Sequence, residues 1–206
     1  LNERFGRDSV LIRNPIDVAE WDARQTVSLN TADTAGMERF VLWVGRAESV
    51  HKRPMACLEL AQMLPDVNFL MILNPRDPSV EADVRRNAPP NVRIVPRIPF
   101  EKMPALFTRA AALVNTSSME GFPNVFLQAA LSRVPIASLN VGEELLSELS
   151  NGCLAAGDLS ALADFLHSVW QGEGPDAETL NTARAWVVSH HALPLQAERL
   201  CEVISS

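Results

Sequence analysis

Runs of apolar residues too continuous to face water on either side alternate along this chain with helical patterns. That alternation constrains the fold more than any other feature. Phe40-Val41-Leu42-Trp43-Val44 has no polar position, so as a strand it must be covered on both faces, and it ends at Gly45. A helical pattern follows through Met55, Leu58, Leu60, Ala61 and Leu64, stopped by Pro65. Val67 to Leu73 reads as a second strand and Val80 to Arg86 as a short helix. Val92 to Val95 is a third strand, Met103 to Ala111 a third helix, and Leu113-Val114 a fourth strand. After a helix opened by Gly121-Phe122-Pro123 comes a fifth strand, Val134 to Ser138. A helix over Glu143 to Leu149, a weak strand near Leu154 and a strong helix over Leu159 to Trp170 follow. Buried strands alternating with helices form βαβ units, and right-handed crossovers make them a doubly wound, Rossmann-like parallel sheet with helices on both faces.

The ends are less regular. Val10-Leu11-Ile12 reads as a short strand, and the polar stretch from Thr26 to Gly36 as a loop. Gln171 to Pro175 is a linker, after which Ala177 to His190 and Leu195 to Ile204 read as helices. The 206 residues suit one large domain. Hydrophobic residues make up 47% and charged residues 21%, enough apolar material for a sizeable core without staples. A net charge of −7 argues against a general nucleic-acid or membrane-surface binder, because both need a basic face. Cys57, Cys153 and Cys201 are odd in number and lack CxxC spacing, so they read as reduced thiols of a cytoplasmic protein. There is no signal peptide pattern and no apolar run long enough to span a bilayer. The first residue is Leu1 rather than Met, which points to a processed chain or a piece of something longer.

Several chemistries are missing from the pattern. No GxGxxG follows the first strand, and neither GxxxxGK[ST] nor GxSxG occurs. The four histidines have no metal-ligand spacing, so no metal site is expected. Two features remain, both at strand ends where such sheets bind ligands. Gly45-Arg46-Ala47-Glu48-Ser49-Val50-His51-Lys52-Arg53-Pro54 offers a glycine for a sharp turn, three cations and a proline for the first turn of the next helix. A solvated basic loop would carry the same residues. In Glu120-Gly121-Phe122-Pro123-Asn124, Pro123 suits the first helical turn, leaving Gly121, Phe122 and Asn124 to present free amides at the positive end of the dipole. Glu120, Asn124, Gln128 and Ser132 recur every fourth residue, as a polar stripe would. A capping carboxylate would explain Glu120 alone. Two anion-friendly features on one sheet edge instead suit a ligand with an anionic group and hydroxyls.

Val44-Gly45-Arg46 with downstream Lys52, the block Asn115 to Val125 and Val134-Pro135-Ile136-Ala137 together resemble the C-terminal domain of family 4 retaining glycosyltransferases. Asn151-Gly152-Cys153-Leu154 with Gly157-Asp158 is similar to the segment that follows there. The resemblance runs from about Val10 to the last helices. It implies one half of a GT-B fold, in which two Rossmann-like domains face a cleft and the C-terminal one holds a nucleoside-diphosphate sugar. By that resemblance Arg46, Lys52 and Glu120 are the catalytic residues. The two cations would pair with the donor diphosphate and stabilise the departing nucleotide without a metal or other cofactor. Glu120 would accept hydrogen bonds from the transferred sugar. Gly45, Gly121, Phe122 and Asn124 would border the phosphates or sugar, and Arg97 with Ile98 would flank the base.

Two departures bear on this. The family's second glutamate, on the ribose, is Gln128 here, which forgoes a charge-assisted hydrogen bond about twice as strong as a neutral one. The Arg-to-Lys spacing is one residue longer, so His51 or Lys52 stands at the family's cation position. The implied organisation is 1–37 as interdomain connection and domain edge, 38–172 as the nucleotide-sugar domain, and 173–206 as helices packing on it or crossing towards an acceptor-binding N-terminal domain. That domain would be the partner and the route of any membrane contact. A sugar-transfer role in polysaccharide or glycoconjugate synthesis is the leading expectation. Half of a nucleotide-sugar epimerase and a non-catalytic nucleotide-sugar binding or scaffold module are the alternatives.

Overall fold

A computed structural model describes residues 10–205 of the chain. After helix α1 (Val18–Ala23) and the single turn α2 (Thr31–Thr34) come β1 (Phe40–Arg46), α3 (Pro54–Met63), β2 (Phe69–Asn74), α4 (Pro78–Asn87) and β3 (Val92–Val95). A 3-10 turn, Phe100–Lys102, leads into α5 (Met103–Phe107). Then follow β4 (Ala110–Asn115), α6 (Asn124–Leu131), β5 (Ile136–Ser138), α7 (Glu143–Leu149), β6 (Gly152–Leu154), α8 (Leu159–Gln171), α9 (Ala177–His191) and α10 (Leu193–Ser205). The six strands form one sheet in the order β3-β2-β1-β4-β5-β6, and every pairing is parallel. This is the doubly wound order expected.

The apolar runs become strands because each face of the sheet has its own cover. Phe40 and Leu42 of β1 pack with α6 and α9 residues, whereas Val41 and Trp43 pack with α3 and α8 residues. A strand side chain alternates faces with period two, so an unbroken apolar run fills both layers at once. The polar helix starts are tied down by carboxylates. Asp77, Asp158 and Asp176 accept backbone N–H groups in the first turns of α4, α8 and α9.

Four sequence readings change. Val10-Leu11-Ile12 pairs with no strand among the described residues, and Val10 and Leu11 lie exposed. The contact to the fold comes later, where Ile16 forms a parallel bridge with Ala192. Helix α5 stops at Phe107, because Ala110 and Ala112 are drawn into β4 opposite Phe40 and Val41. Alanine favours helix locally, but pairing beside the central strand outweighs that preference. The region read as a loop contains α2, and the preceding α1 buries Trp21, which the sequence reading left out. Helix α10 begins at Leu193, directly after α9, rather than at Leu195.

Of the expected connection 1–37, residues 1–9 lie outside the described residues. The part that follows is pinned to the C-terminal helices. Arg13 N–H donates to Gln196 Oε1 at 2.8 Å, Ile16 N–H to the His191 carbonyl at 2.8 Å, and Leu193 N–H to the Ile16 carbonyl at 2.9 Å. His191 is fully buried, and its Nδ1 lies 2.8 Å from the Asn14 carbonyl, which makes Nδ1 the protonated nitrogen. Its Nε2 has no hydrogen-bond partner among the described residues, and its ring lies against Phe122 and Trp186. Ala183 and Val187 of α9 enter the core, while Leu195, Leu200 and Ile204 of α10 remain exposed. Among the described residues no helix is long and apolar enough to cross a membrane.

Candidate functional site

The order of the strands puts the carboxyl ends of β1 and β4 side by side while their following helices leave on opposite faces. A crevice opens between them, and the two sequence features face each other across it. The first loop is shaped by Glu48, whose Oε1 accepts the N–H groups of Val50 at 3.0 Å and His51 at 2.8 Å. The His51 N–H, with help from the charges of His51 and Arg46, holds the Glu48 carboxyl below its ordinary pKa. Arg53 takes the left-handed conformation at φ 49°, and Pro54 then starts α3.

A buried hydroxyl ties the two loops to the sheet. Thr116, at the end of β4, accepts the Trp43 indole N–H at 2.9 Å and lies within reach of the Lys52 and Arg53 carbonyls at 2.9 and 3.0 Å. Ser118 adds a backbone bond to the His51 carbonyl at 2.8 Å and a hydroxyl bond to the Val50 carbonyl at 2.7 Å. So fixed, Lys52 Nζ reaches across the crevice to Glu120 Oε1 and forms an ion pair. Ser117 Oγ donates to the same oxygen at 2.8 Å. The pair is largely sheltered, with side-chain exposures of 19% for Lys52 and 15% for Glu120. The second oxygen, Oε2, receives no hydrogen bond from the described residues. Glu120 lines a cavity of about 420 Å³ together with Gly121, Phe122, Gly142, Glu144 and Trp186. Gly142 sits at φ 82°, and a Cβ there would come 2.5 Å from the Phe126 ring, so this part of the cavity lining depends on that glycine.

Of the two candidates for the cation, Lys52 has its side chain on Glu120, and His51 contributes its carbonyl to Ser118. Arg46 ends β1, exposed and without an ion pair among the described residues. Gly45 differs from its expected role. It lies within β1 rather than at a turn, and its missing Cβ makes room for the Trp43 indole, whose Cη2 would be 2.4 Å away. At the other loop, Pro123 stands one residue before α6, not inside it. The Asn124 N–H is spent on the Phe122 carbonyl at 3.0 Å, so it is not free. The Gly121 and Phe122 amides, and that of Val125, have no acceptor among the described residues.

The polar stripe is partly consumed within the fold. Ser132 Oγ accepts the Trp21 indole N–H at 3.0 Å, and Asn124 Oδ1 accepts from Asn14 Nδ2 at 3.0 Å. Gln128 is half-buried, its carboxamide makes no hydrogen bond among the described residues, and it lines a cavity of about 250 Å³ with Asn74, Arg97 and Ile98. Arg97 is exposed and Ile98 is buried. Thr116 and Ser117 lie in the block 115–125 that carries the resemblance but have no role assigned from it, and Trp186 is not singled out by the sequence. A hydroxyl inside an apolar strand end was the available signal for Thr116, whereas nothing local marks Trp186. Among the described residues no group of three His, Cys, Asp or Glu side chains comes together as metal ligands would.

Residues 38–171 match the family described as glycosyl transferases group 1. The fold is similar to that of a glycosyltransferase from Rickettsia africae, with a TM-score of 0.78 at 15% identity over 94% of this chain and 56% of that one. It is also similar to Anabaena HepE in complex with UDP and glucose, with a TM-score of 0.75 at 18% identity over 94% and 56%. Sucrose-phosphate synthase from Thermosynechococcus elongatus gives 0.74 at 21% identity over 99% and 54%. The chain thus spans little more than half the length of these proteins. No curated protein matches it by sequence. The architecture is that of one half of a GT-B fold, and with the family match covering most of its length, the chain belongs to the glycosyl transferases group 1 family.

Proposed function

We propose that this chain is the donor-binding half of a retaining glycosyltransferase, one that moves a sugar from a nucleoside-diphosphate sugar to an acceptor in polysaccharide or glycoconjugate synthesis. The observation that carries the reading is the meeting of Lys52 and Glu120 at the switch point of the sheet, beside the free amides of Gly121 and Phe122. A cation for a diphosphate and a carboxylate for sugar hydroxyls are thereby held in adjacent positions. The donor diphosphate competes for Lys52 with more charge than one carboxylate offers. Arg46, exposed on the same edge and without an ion pair among the described residues, is the second cation. As the bond from the anomeric carbon to the phosphate oxygen breaks, charge grows on the departing nucleotide, and Arg46, Lys52 and the two amides stabilise it. A new bond then forms from that carbon to an acceptor hydroxyl oxygen, whose proton passes to the phosphate oxygen that has just been released. Glu120 Oε2 accepts hydroxyls of the sugar, and Gln128 takes one ribose hydroxyl. The Arg97–Ile98 loop borders the base. No metal is required in this scheme.

HepE in its complex holds UDP and glucose, which supports the substrate class by analogy. The acceptor, and any membrane contact, belongs to a second, N-terminal half, and the setting is cytoplasmic. Titration calorimetry of this chain with UDP, GDP and ADP tests the reading, and at least one is expected to bind. Lys52→Ala and Arg46→Ala are expected to weaken diphosphate binding by an order of magnitude or more, the scale of a charge-assisted contact, with little effect on the free nucleoside. Absence of binding by all three nucleotides would remove the donor-binding role.

A further inference from the structure

A singly exposed phenylalanine means little in itself. Phe100 is different because it is both exposed, at 56%, and fixed. Its ring meets the Trp21 indole edge-on, with centroids 6.0 Å apart at 60°. Trp21 is itself only 2% exposed, is held by its N–H on Ser132 and packs on Phe107 at 5.7 Å. The backbone beneath Phe100 is closed by Lys102 N–H on the Pro99 carbonyl at 3.0 Å, and Lys102 is anchored to Asp33 at 2.8 Å. The ring therefore projects from a rigid base.

Its position gives that rigidity a use. Phe100 stands on the wall shared by two neighbouring cavities, of about 250 and 310 Å³. Gln128, whose carboxamide makes no hydrogen bond among the described residues, stands on the same shared wall. The smaller cavity also takes in Arg97 and Ile98, and the larger one Asn14 and Asp17. An exposed aromatic ring and a hydrogen-bonding amide thus line the same two cavities, beside a crevice that holds cations further along. A flat heterocycle joined to a hydroxylated sugar has that same sequence of surfaces.

We propose that Phe100 is the stacking plate for the nucleobase of the bound nucleotide. The inference rests on the nucleotide-sugar reading above and adds to it a residue that sets affinity for the base. A phenyl ring offers a π-face and no hydrogen-bond donor or acceptor, so it binds any base and leaves the choice among bases to polar groups around it. Ribose then falls beside Gln128, and the diphosphate is directed towards Lys52 and Arg46.

The test compares wild-type chain with Phe100→Ala, Phe100→Leu and Phe100→Trp by titration calorimetry. The probes are whichever of UDP, GDP and ADP binds best, its free nucleoside, and inorganic pyrophosphate. One stacked base corresponds to roughly a tenfold change or more, so Phe100→Ala is expected to weaken nucleotide and nucleoside to that degree and leave pyrophosphate unchanged. Phe100→Trp is expected to match or exceed wild type, and Phe100→Leu to behave as the alanine variant. Thermal melts of all four proteins check that each is folded, and the tryptophan variant keeps the test open if alanine disturbs the turn. Equal nucleotide binding by wild type and Phe100→Ala overturns the proposal and leaves the donor-binding role standing. Full binding by Phe100→Leu reduces the ring to an apolar cover and also overturns it. If wild type binds no nucleotide, the functional reading falls and the stacking role with it.

Discussion

Gly45→Ala is predicted to destabilise the chain through a collision that has nothing to do with turn geometry. The new Cβ would lie 2.4, 2.7 and 3.0 Å from Cη2, Cζ2 and Cζ3 of Trp43. Real contacts of this kind do not fall below 3 Å, so the indole must shift. It has little freedom to do so, since Trp43 is 2% exposed and its N–H is bound to Thr116 Oγ1 at 2.9 Å. Overpacking of this kind costs about 1–3 kcal/mol, and stranding a buried donor about 1–3 kcal/mol more. Replacing glycine within a strand returns about 0.5–1 kcal/mol. The net expectation is a loss of about 1–5 kcal/mol, read in urea as a lower midpoint at unchanged slope. A double-mutant cycle with Trp43→Phe isolates the cause, because phenylalanine lacks the benzo ring that the Cβ meets. In that background Gly45→Ala should cost less than about 1 kcal/mol, leaving a coupling well above ordinary additivity error. An equal cost in both backgrounds would show that Trp43 is not what Gly45 accommodates.

Two other predictions concern buried groups. His191 is neutral in its pocket because burial lowers its pKa below the usual 6.5, with the charges of Arg13 and His190 acting in the same direction and the Asn14 carbonyl opposing. The unfolded chain takes up a proton near 6.5 and the folded one only at lower pH. Stability is therefore fully present above 6.5 and is lost as pH falls below it. Urea midpoints should drop between pH 7.5 and 5 and the slope should flatten in His191→Gln, whereas an unchanged wild-type midpoint would contradict the assignment. Thiol labelling with a maleimide should modify exposed Cys201 first and Cys153, whose pKa is raised by partial burial, more slowly. Cys57, fully buried with its pKa driven far up, should react only on unfolding, and native-state labelling of Cys57 at the rate of Cys201 would contradict its burial.

The central strands were legible because burial on both faces leaves β1, β2 and β4 apolar up to their last residues. Val92 to Val95 and Glu143 to Leu149 have the same bounds in sequence and structure. Where local pattern and tertiary pairing disagree, the sequence misleads. Ala110 and Ala111 extend a helical pattern but belong to β4, and Val10 to Ile12 look like a strand yet pair with none among the described residues. Lys52 and Glu120 were legible as site candidates because each stands at a strand end. That their side chains meet follows only from the order β1 beside β4. The spacing of Asn124 and Ser132 promised two ligand-facing groups, yet Asn14 and Trp21 take them. Those partners come from a segment with no periodicity to announce its path.

The crevice also has a consequence for how the chain folds. Strand β1 finds β2 in the next helix–strand unit, whereas β4 joins it only after two further crossovers. Loop closure makes the second pairing the slower to reach. An intermediate built from β1, β2 and β3 would carry Lys52 but no Glu120. The ion pair can form only when the two half-sheets have joined, so a probe placed on it times their docking.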